Sequence, residues 1–235
     1  MAVIYRPVRL HGQESINTYR CLPVSEQDAS LIGKRTLLNG KNVSAVAERN
    51  CSVLREAFAD LESAHRKGNG TRLIVPINAR ALLETETSTQ LVLTLKQIDK
   101  SLQKAAIPEV FDFPQNLSMG ALETITIPLL PFFDYYMAMP SPDTQNLVNF
   151  SNINYFGVSL DLEALDCPPE KMNGVITDFW AAATKRKLKL YIQGINDQEI
   201  EKIAQRYEVF AMDGPFIMKD SQFLGGEPEI NPDYN

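Results

Sequence analysis

Histidine is nearly missing from this chain: His11 and His65 are the only two in 235 residues. Neither has a cysteine or acidic partner at ligand spacing, which argues against a catalytic histidine or a zinc centre. Cysteine is also sparse. Cys21, Cys51 and Cys167 match no metal-site spacing and their odd number makes no disulfide framework, so they read as reduced, small hydrophobic residues. No apolar run reaches the roughly 18 residues of a membrane span, and the opening Met1-Ala2-Val3-Ile4-Tyr5-Arg6-Pro7 lacks a basic-then-apolar leader pattern. A cytoplasmic protein without membrane contact is expected. Basic residues are outnumbered, 23 to 29, for a net charge of −6, which disfavours a broad basic surface and hence nucleic acid or anionic lipid as a partner.

Apolar residues make up 44% of the chain, enough at this length for one large core. Val3–Leu10 and Ser15–Val24 are rich in strand formers around His11-Gly12-Gln13-Glu14, which predicts an opening antiparallel hairpin. Between 42 and 67, Val46, Cys51, Leu54, Phe58 and Leu61 recur at helical steps before the stop Gly68-Asn69-Gly70. Strand and helix then alternate: strand 72–77, helix 87–105, strand 109–113, helix 118–128, strand 131–137, helix 144–151 and strand 153–160. The next helix has Asp166 where an N-cap belongs, Pro168 and Pro169 suited to a first turn, and a buried face of Met172, Ile176, Phe179 and Ala183. Trp180, the single tryptophan, shares that spacing and reads as packing. Strand 188–193, helix 197–205 and strand 208–212 complete the series.

Alternation on this scale in one domain predicts a mainly parallel sheet closed into a barrel. Residues 1–219 are expected to form it. The segment 220–235, rich in Gly, Pro and acid, is expected to be an exposed, flexible extension.

Two late segments carry a resemblance. Leu190-Tyr191-Ile192-Gln193-Gly194-Ile195-Asn196 and Met212-Asp213-Gly214-Pro215-Phe216 are similar to the Glu-Gly-Val-Glu strand tip and the Gln-Gly-aromatic loop of the EAL family. The opening Tyr5-Arg6-Pro7-Val8 and Thr18-Tyr19-Arg20-Cys21-Leu22 resemble that family's aromatic-Gln-Pro-Ile strand and its Tyr-Glu-Ala-Leu signature. The resemblance implies an α/β fold, a modified TIM (β/α) barrel with an antiparallel first strand. It also implies kinship with phosphodiesterases of cyclic di-guanylate (cyclic di-GMP), which use two divalent cations held at the strand tips.

The same comparison implies that the chemistry is largely missing. Arg20 stands for the glutamate that names the family, Gln193 for another glutamate, and Asp213 for the loop glutamine. Val75-Pro76-Ile77-Asn78 keeps the metal-binding asparagine as Asn78. Phe111-Asp112-Phe113-Pro114-Gln115 is set against the Glu-x-Thr-Glu strand, with Asp112 in the ligating position. Phe132-Phe133-Asp134-Tyr135-Tyr136 is set against Leu-Asp-Asp-Phe, with Asp134 kept and Tyr135 replacing the second aspartate. In Asn154–Ser159, Gly157 and Ser159 fall where Lys-x-Asp would place its lysine and aspartate. Arg20, Asn78, Asp112, Asp134 and Gln193 are thus read as a vestigial metal site with no catalytic residue, metal or cofactor. Arg20 is expected to fill the vacated position and pair with Asp112, Asp134 or both, because a guanidinium repels a cation and grips carboxylates.

Simpler readings stand beside these. Arg20 could be a surface arginine on an edge hairpin, and Asn78, Asp112 and Asp134 inert polar residues at strand ends. The aromatic run at 132–136 reads first as packing. Arg6, Arg20, Asp213 and Phe216 are the candidate contacts for a nucleotide ligand. The resemblance implies a non-catalytic regulator that binds a protein partner, a transcription regulator or signalling enzyme of the motility, biofilm or virulence type. A metal-independent receptor for cyclic di-guanylate is the alternative, an active phosphodiesterase a distant third. Pairing of two chains through about 135–150 is a further implication.

Overall fold

The computed structural model describes residues 1–28, 30–39, 42–142, 147–165 and 167–226. β1 (Ala2–Leu10) and β2 (Thr18–Val24) form the expected hairpin, with Ala2 opposite Val24 and Val8 opposite Thr18. β3 (Arg72–Asn78), β4 (Ala106–Phe111), β5 (Met137–Met139), β6 (Gly157–Asp161), β7 (Lys189–Gln193) and β8 (Ala211–Met212) follow in order. From β2 to β8 each pairs in parallel with the next. β8 closes antiparallel onto β1, so the barrel is complete and one strand of eight runs inverted. Inversion puts Ala2 at the end of the barrel where the other strands finish, and Leu10 where they begin.

Helices α1 (Lys34–Leu38), α2 (Val43–Arg66), α3 (Ala79–Leu83), α4 (Thr85–Lys96), α5 (Lys100–Lys104), α6 (Met119–Thr126), α7 (Val148–Asn152), α8 (Pro169–Lys185) and α9 (Gln198–Arg206) connect the strands. The long α2 starts where the Asn42 side chain accepts from Ser44 N and ends before Gly68, whose φ of 83° closes the helix. Its Val46, Leu54, Phe58 and Leu61 are buried against the sheet, each side chain contributing about 1.5–3 kcal/mol. Inside the barrel, Val8, Ile74, Met137, Tyr191 and Ala211 form an apolar layer. The period-two alternation of the strands sets polar residues above it, toward the C-terminal strand ends.

Several elements depart from expectation. The helix expected over 87–105 is two, because Asp99 accepts from Ser101 N at 2.7 Å and restarts the chain as α5. The strand expected over 131–137 is mostly turn, and only Met137–Met139 pairs. The strand expected over 153–160 begins at Gly157. Asp166 and residues 143–146, the latter within the expected pairing segment, lie outside the described residues. Among the described residues no helix is long and apolar enough to cross a membrane.

Residues 220–226 correct the expected extension. Ser221 exchanges backbone hydrogen bonds with Tyr5, Asp220 pairs with Arg6 at 2.6 Å, Leu224 is buried, and Tyr19 donates its hydroxyl to Gly226 O at 2.8 Å. This stretch packs onto β1 and β2, bridging to β1 at Tyr5. Residues 227–235 lie outside the described residues.

Candidate functional site

The polar layer gathers at the C-terminal end of the parallel strands. Arg20, second from the start of β2 on the inward face, is buried, and its guanidinium forks onto Asp213: Nε to Oδ2 at 2.7 Å and Nη2 to Oδ1 at 2.8 Å. Tyr191 donates its hydroxyl to Asp213 Oδ2, and Gly194 N donates to Oδ1 at 3.2 Å. Arg6, inward on β1, lies 3.9 Å from Asp213 and grips Glu163 at 2.5 Å and Asp220 at 2.6 Å. The charge on Arg20 is opposed by burial but upheld by Asp213, and its pKa is raised. Burial lifts the Tyr191 phenol as well, reinforced by the charge of Asp213. Both groups are thereby fixed, one charged and one neutral.

A second cluster faces the first. Glu109 on β4 is buried and accepts from Ser159 Oγ and Gln193 Nε2, while among the described residues Gln193 Oε1 meets no donor. Burial raises the Glu109 pKa against the opposing pull of Arg20, the Ser159 hydrogen bond and Lys34. Asp161, at the tip of β6, meets Lys34 Nζ at 2.5 Å and accepts from Glu163 N at 3.0 Å. Burial opposes its charge too, but Lys34 and Arg20 outweigh that and hold the Asp161 carboxyl below the usual range. Lys34 also reaches Met139 Sδ at 3.1 Å and so lies across the barrel mouth. Between the clusters remains a cavity of about 40 Å³ lined by Arg20, Lys34, Glu109, Asp161 and Glu163, among others. That holds one or two waters, where sites for drug-sized ligands measure about 300–1,000 Å³.

These contacts correct the expected pairing of Arg20. It points inward, but its partner is Asp213, not Asp112 or Asp134. Asp112 lies one residue past β4 with φ 61°, and its carboxylate takes Asn78 Nδ2 at 3.0 Å and Arg80 at 3.2 Å. The acid inside β4 is Glu109, so Glu109-Val110-Phe111-Asp112 holds the Glu-x-x-acid spacing three residues earlier than expected. Asp134 is exposed in the turn that leads into β5, at the opposite end of the barrel from the mouth. Gly157 likewise begins β6, and a Cβ there would fall 2.4 Å from Lys189 O, so no lysine fits. Ser159 and Asp161 are the inward pair that match Lys-x-Asp. Asn78 is buried at the tip of β3, where its Oδ1 accepts from Ala81 N at 3.0 Å and caps α3. Phe216 is partly buried after β8 and does not line the cavity.

Sequence reasoning thus assembled Arg6, Arg20, Gln193 and Asp213 in one place, and missed Lys34, Glu109, Tyr191, Asp161 and Glu163. Glu109 and Asp161 carried a usable signal: each is the one carboxylate within a buried strand.

The two divalent cations implied by the resemblance do not fit this donor set. Two side-chain cations already neutralise Asp213 and Asp161, Ser159 and Gln193 are uncharged, and a hard cation needs several anionic oxygens. Among the described residues no three His, Cys, Asp or Glu side chains converge to hold a metal.

No family model and no curated protein sequence matches the chain. Solved structures do. The Bacillus subtilis YkuI protein, which has an EAL domain and was solved with substrate cyclic di-GMP and calcium, superposes over 94% of this chain with a TM-score of 0.71 at 14% identity. The match spans 55% of that longer protein. A standalone versatile EAL protein from Vibrio cholerae, bound to cyclic di-GMP, matches 99% of this chain and 96% of its own, at TM-score 0.69 and 11% identity. The EAL domain of FimX from Pseudomonas aeruginosa, also cyclic di-GMP-bound, matches 100% and 93%, at 0.66 and 12%. At these identities the likeness establishes the fold: an eight-stranded modified TIM barrel of the EAL type.

Proposed function

We propose that this barrel is a non-catalytic signalling protein that acts by binding another protein, a transcription regulator or signalling enzyme. The observation that carries the reading is the buried Arg20–Asp213 pair, joined at the mouth by Lys34 on Asp161. Metal-assisted phosphodiester hydrolysis needs a site that presents uncompensated anionic oxygens to a cation and an activated water. Here Arg20 engages Asp213, Lys34 engages Asp161, and Arg6 engages Glu163 and Asp220, and little space remains among them. A nucleotide of the size held by the solved neighbours would have to displace Lys34 and expose the buried pairs. Fold alone does not decide function; the donor chemistry supports the inactive reading.

The test is calorimetric titration of the purified protein with cyclic di-guanylate, with and without magnesium or calcium, alongside a hydrolysis assay. No heat and no turnover from folded protein is the expected result. Metal-independent binding at micromolar strength would favour a nucleotide receptor, with Arg6 and Arg20 as the first residues to replace. Metal-dependent turnover would overturn the non-catalytic reading.

A further inference from the structure

The opposite end of the barrel carries a feature the mouth does not explain. Lys185, Arg186, Lys187 and Lys189 put four cations into five residues of a chain whose net charge is −6. Among the described residues none of the four has a carboxylate within ion-pair distance, whereas Arg6, Arg20, Lys34 and Arg80 all do. Lys185 and Arg186 sit at the C-terminus of α8, where the helix dipole accounts for them. Lys187 and Lys189 lie beyond it. Both line an open groove of about 470 Å³ whose apolar wall is Trp180, Leu188, Val209 and Phe210. One carboxylate, Glu208, stands at its rim.

The backbone holds this groove in an uncommon form. Lys187 has φ 58° and Glu208 φ 48°, left-handed positions that favour glycine or asparagine. Each closes the C-terminus of its helix: Leu188 N reaches Ala183 O and Val209 N reaches Ala204 O. A cationic side chain at Lys187 is therefore kept where a glycine would close the helix with less strain. Phe210 stacks edge-on to Phe156 at 5.1 Å, and Phe156 to Tyr135 at 5.4 Å. Tyr135 is 55% exposed, so the apolar wall continues as a track across this face.

We propose that this groove binds an acidic peptide segment of a partner protein, one whose carboxylates meet Lys187 and Lys189 and whose apolar side chains lie against Trp180 and Phe210. The inference rests on the protein-binding reading above and assigns its surface. Length favours a peptide over a small anion, because the track runs beyond the cations. With only two cations beside an apolar wall, the groove suits a short acidic and apolar segment better than a polyanion such as nucleic acid, which needs a run of phosphate contacts.

Trp180 is the only tryptophan, so its emission reports this groove in the unmodified protein. The experiment titrates the full chain with a short synthetic peptide of Glu and Asp interspersed with Leu and Phe and free of tryptophan. Polyglutamate, oligothymidylate and phosphatidylserine vesicles are run beside it. A saturable change in Trp180 emission is expected, weakening with added salt and at least about tenfold weaker in Lys187→Glu/Lys189→Glu. Polyglutamate, lacking the apolar anchors, is expected to bind more weakly. The proposal is overturned by a silent titration up to about 1 mM peptide, by undiminished binding in the double variant, or by tighter binding of the oligonucleotide or vesicles. Since both lysines are exposed, the variant is expected to unfold at the wild-type denaturant midpoint. Cyclic di-guanylate turnover would sink the non-catalytic reading without touching this titration, and a silent titration would sink the groove without touching the mouth.

Discussion

Arg20 on β2 and Asp213, one residue past β8, flank β1 and meet through two parallel hydrogen bonds of 2.7 and 2.8 Å, both side chains buried. The planar fork of arginine satisfies both carboxylate oxygens at once, which a lysine at the same place could not do. Each partner is costly to bury without the other. The pair is therefore a unit.

Arg20→Ala is expected to cost about 3–5 kcal/mol, since it leaves Asp213 buried against Tyr191 without its cation. Asp213→Ala should cost a similar amount. The double variant Arg20→Met/Asp213→Leu should be more stable than either single truncation, because no charge is stranded. Urea unfolding of the double variant beside Arg20→Met and Asp213→Leu alone measures the coupling; strictly additive losses would show that the two do not act together.

Acid sensitivity should trace to Asp161. Its folded-state carboxyl is held low, after Lys34 and Arg20 outweigh burial, so it contributes stability above the ordinary carboxylate range that is lost as pH falls through the lower folded value. Lys34→Met removes the largest of the lowering influences. The acid-unfolding midpoint, followed by circular dichroism, is expected to move to higher pH in this variant.

Glu109 should behave with the opposite sign. Its folded pKa is raised by burial, so it favours the fold below the ordinary carboxylate range, and that contribution is lost as pH rises through the raised value. Glu109→Gln abolishes the titration. Relative to wild type, the variant is expected to gain stability between acid and neutral pH, and an unchanged difference across that range would contradict the assignment.

Gly157 should tolerate nothing larger. A methyl there meets the Lys189 carbonyl at 2.4 Å across the β6–β7 ladder, and neither strand can yield without losing register. Gly157→Ala is expected to cost about 1–3 kcal/mol. Gly174, mid-α8 with open space around its Cα, is the control: Gly174→Ala should stabilise by up to about 1 kcal/mol. Thermal melts of the two distinguish them directly.

The barrel was legible from the alternation of strand and helix patterns, because burial on both faces gives parallel strands a continuous apolar character. The long α2 was equally plain from its spaced Val46, Leu54 and Leu61. At the site, Gln193 and Asp213 were found because a glycine follows each and fixes a tight turn, which anchors the register. The errors at Asp112, Asp134 and Gly157 share one cause. In β4, β5 and β6 no such punctuation exists, and a slip of two or three residues in β4 and β6, or of more at the short β5, leaves an apolar stretch still looking like a strand. For Asp134 the slip carried a residue from the inferred mouth to the other end of the barrel. Lys34 was invisible for a different reason: it reaches Asp161 from the first turn of α1, and nothing local in Gly33-Lys34-Arg35 announces that distance.

A cation that belongs to the chain cannot be diluted away. On the proposed reading Arg6, Arg20 and Lys34 supply the positive charge of the mouth, so its ionic state is expected not to follow the divalent-ion supply, and a chelator is expected to leave it unchanged. The same feature acts as a ratchet on sequence. Placing a carboxylate at position 20 would set it against Asp213 and put two buried anions in hydrogen-bonding range, while removing Asp213 first would strand Arg20. Either single step crosses a deficit of about 3–5 kcal/mol, a large share of the stability a domain possesses. Only the paired exchange avoids that valley, which makes this charge arrangement far easier to keep than to leave.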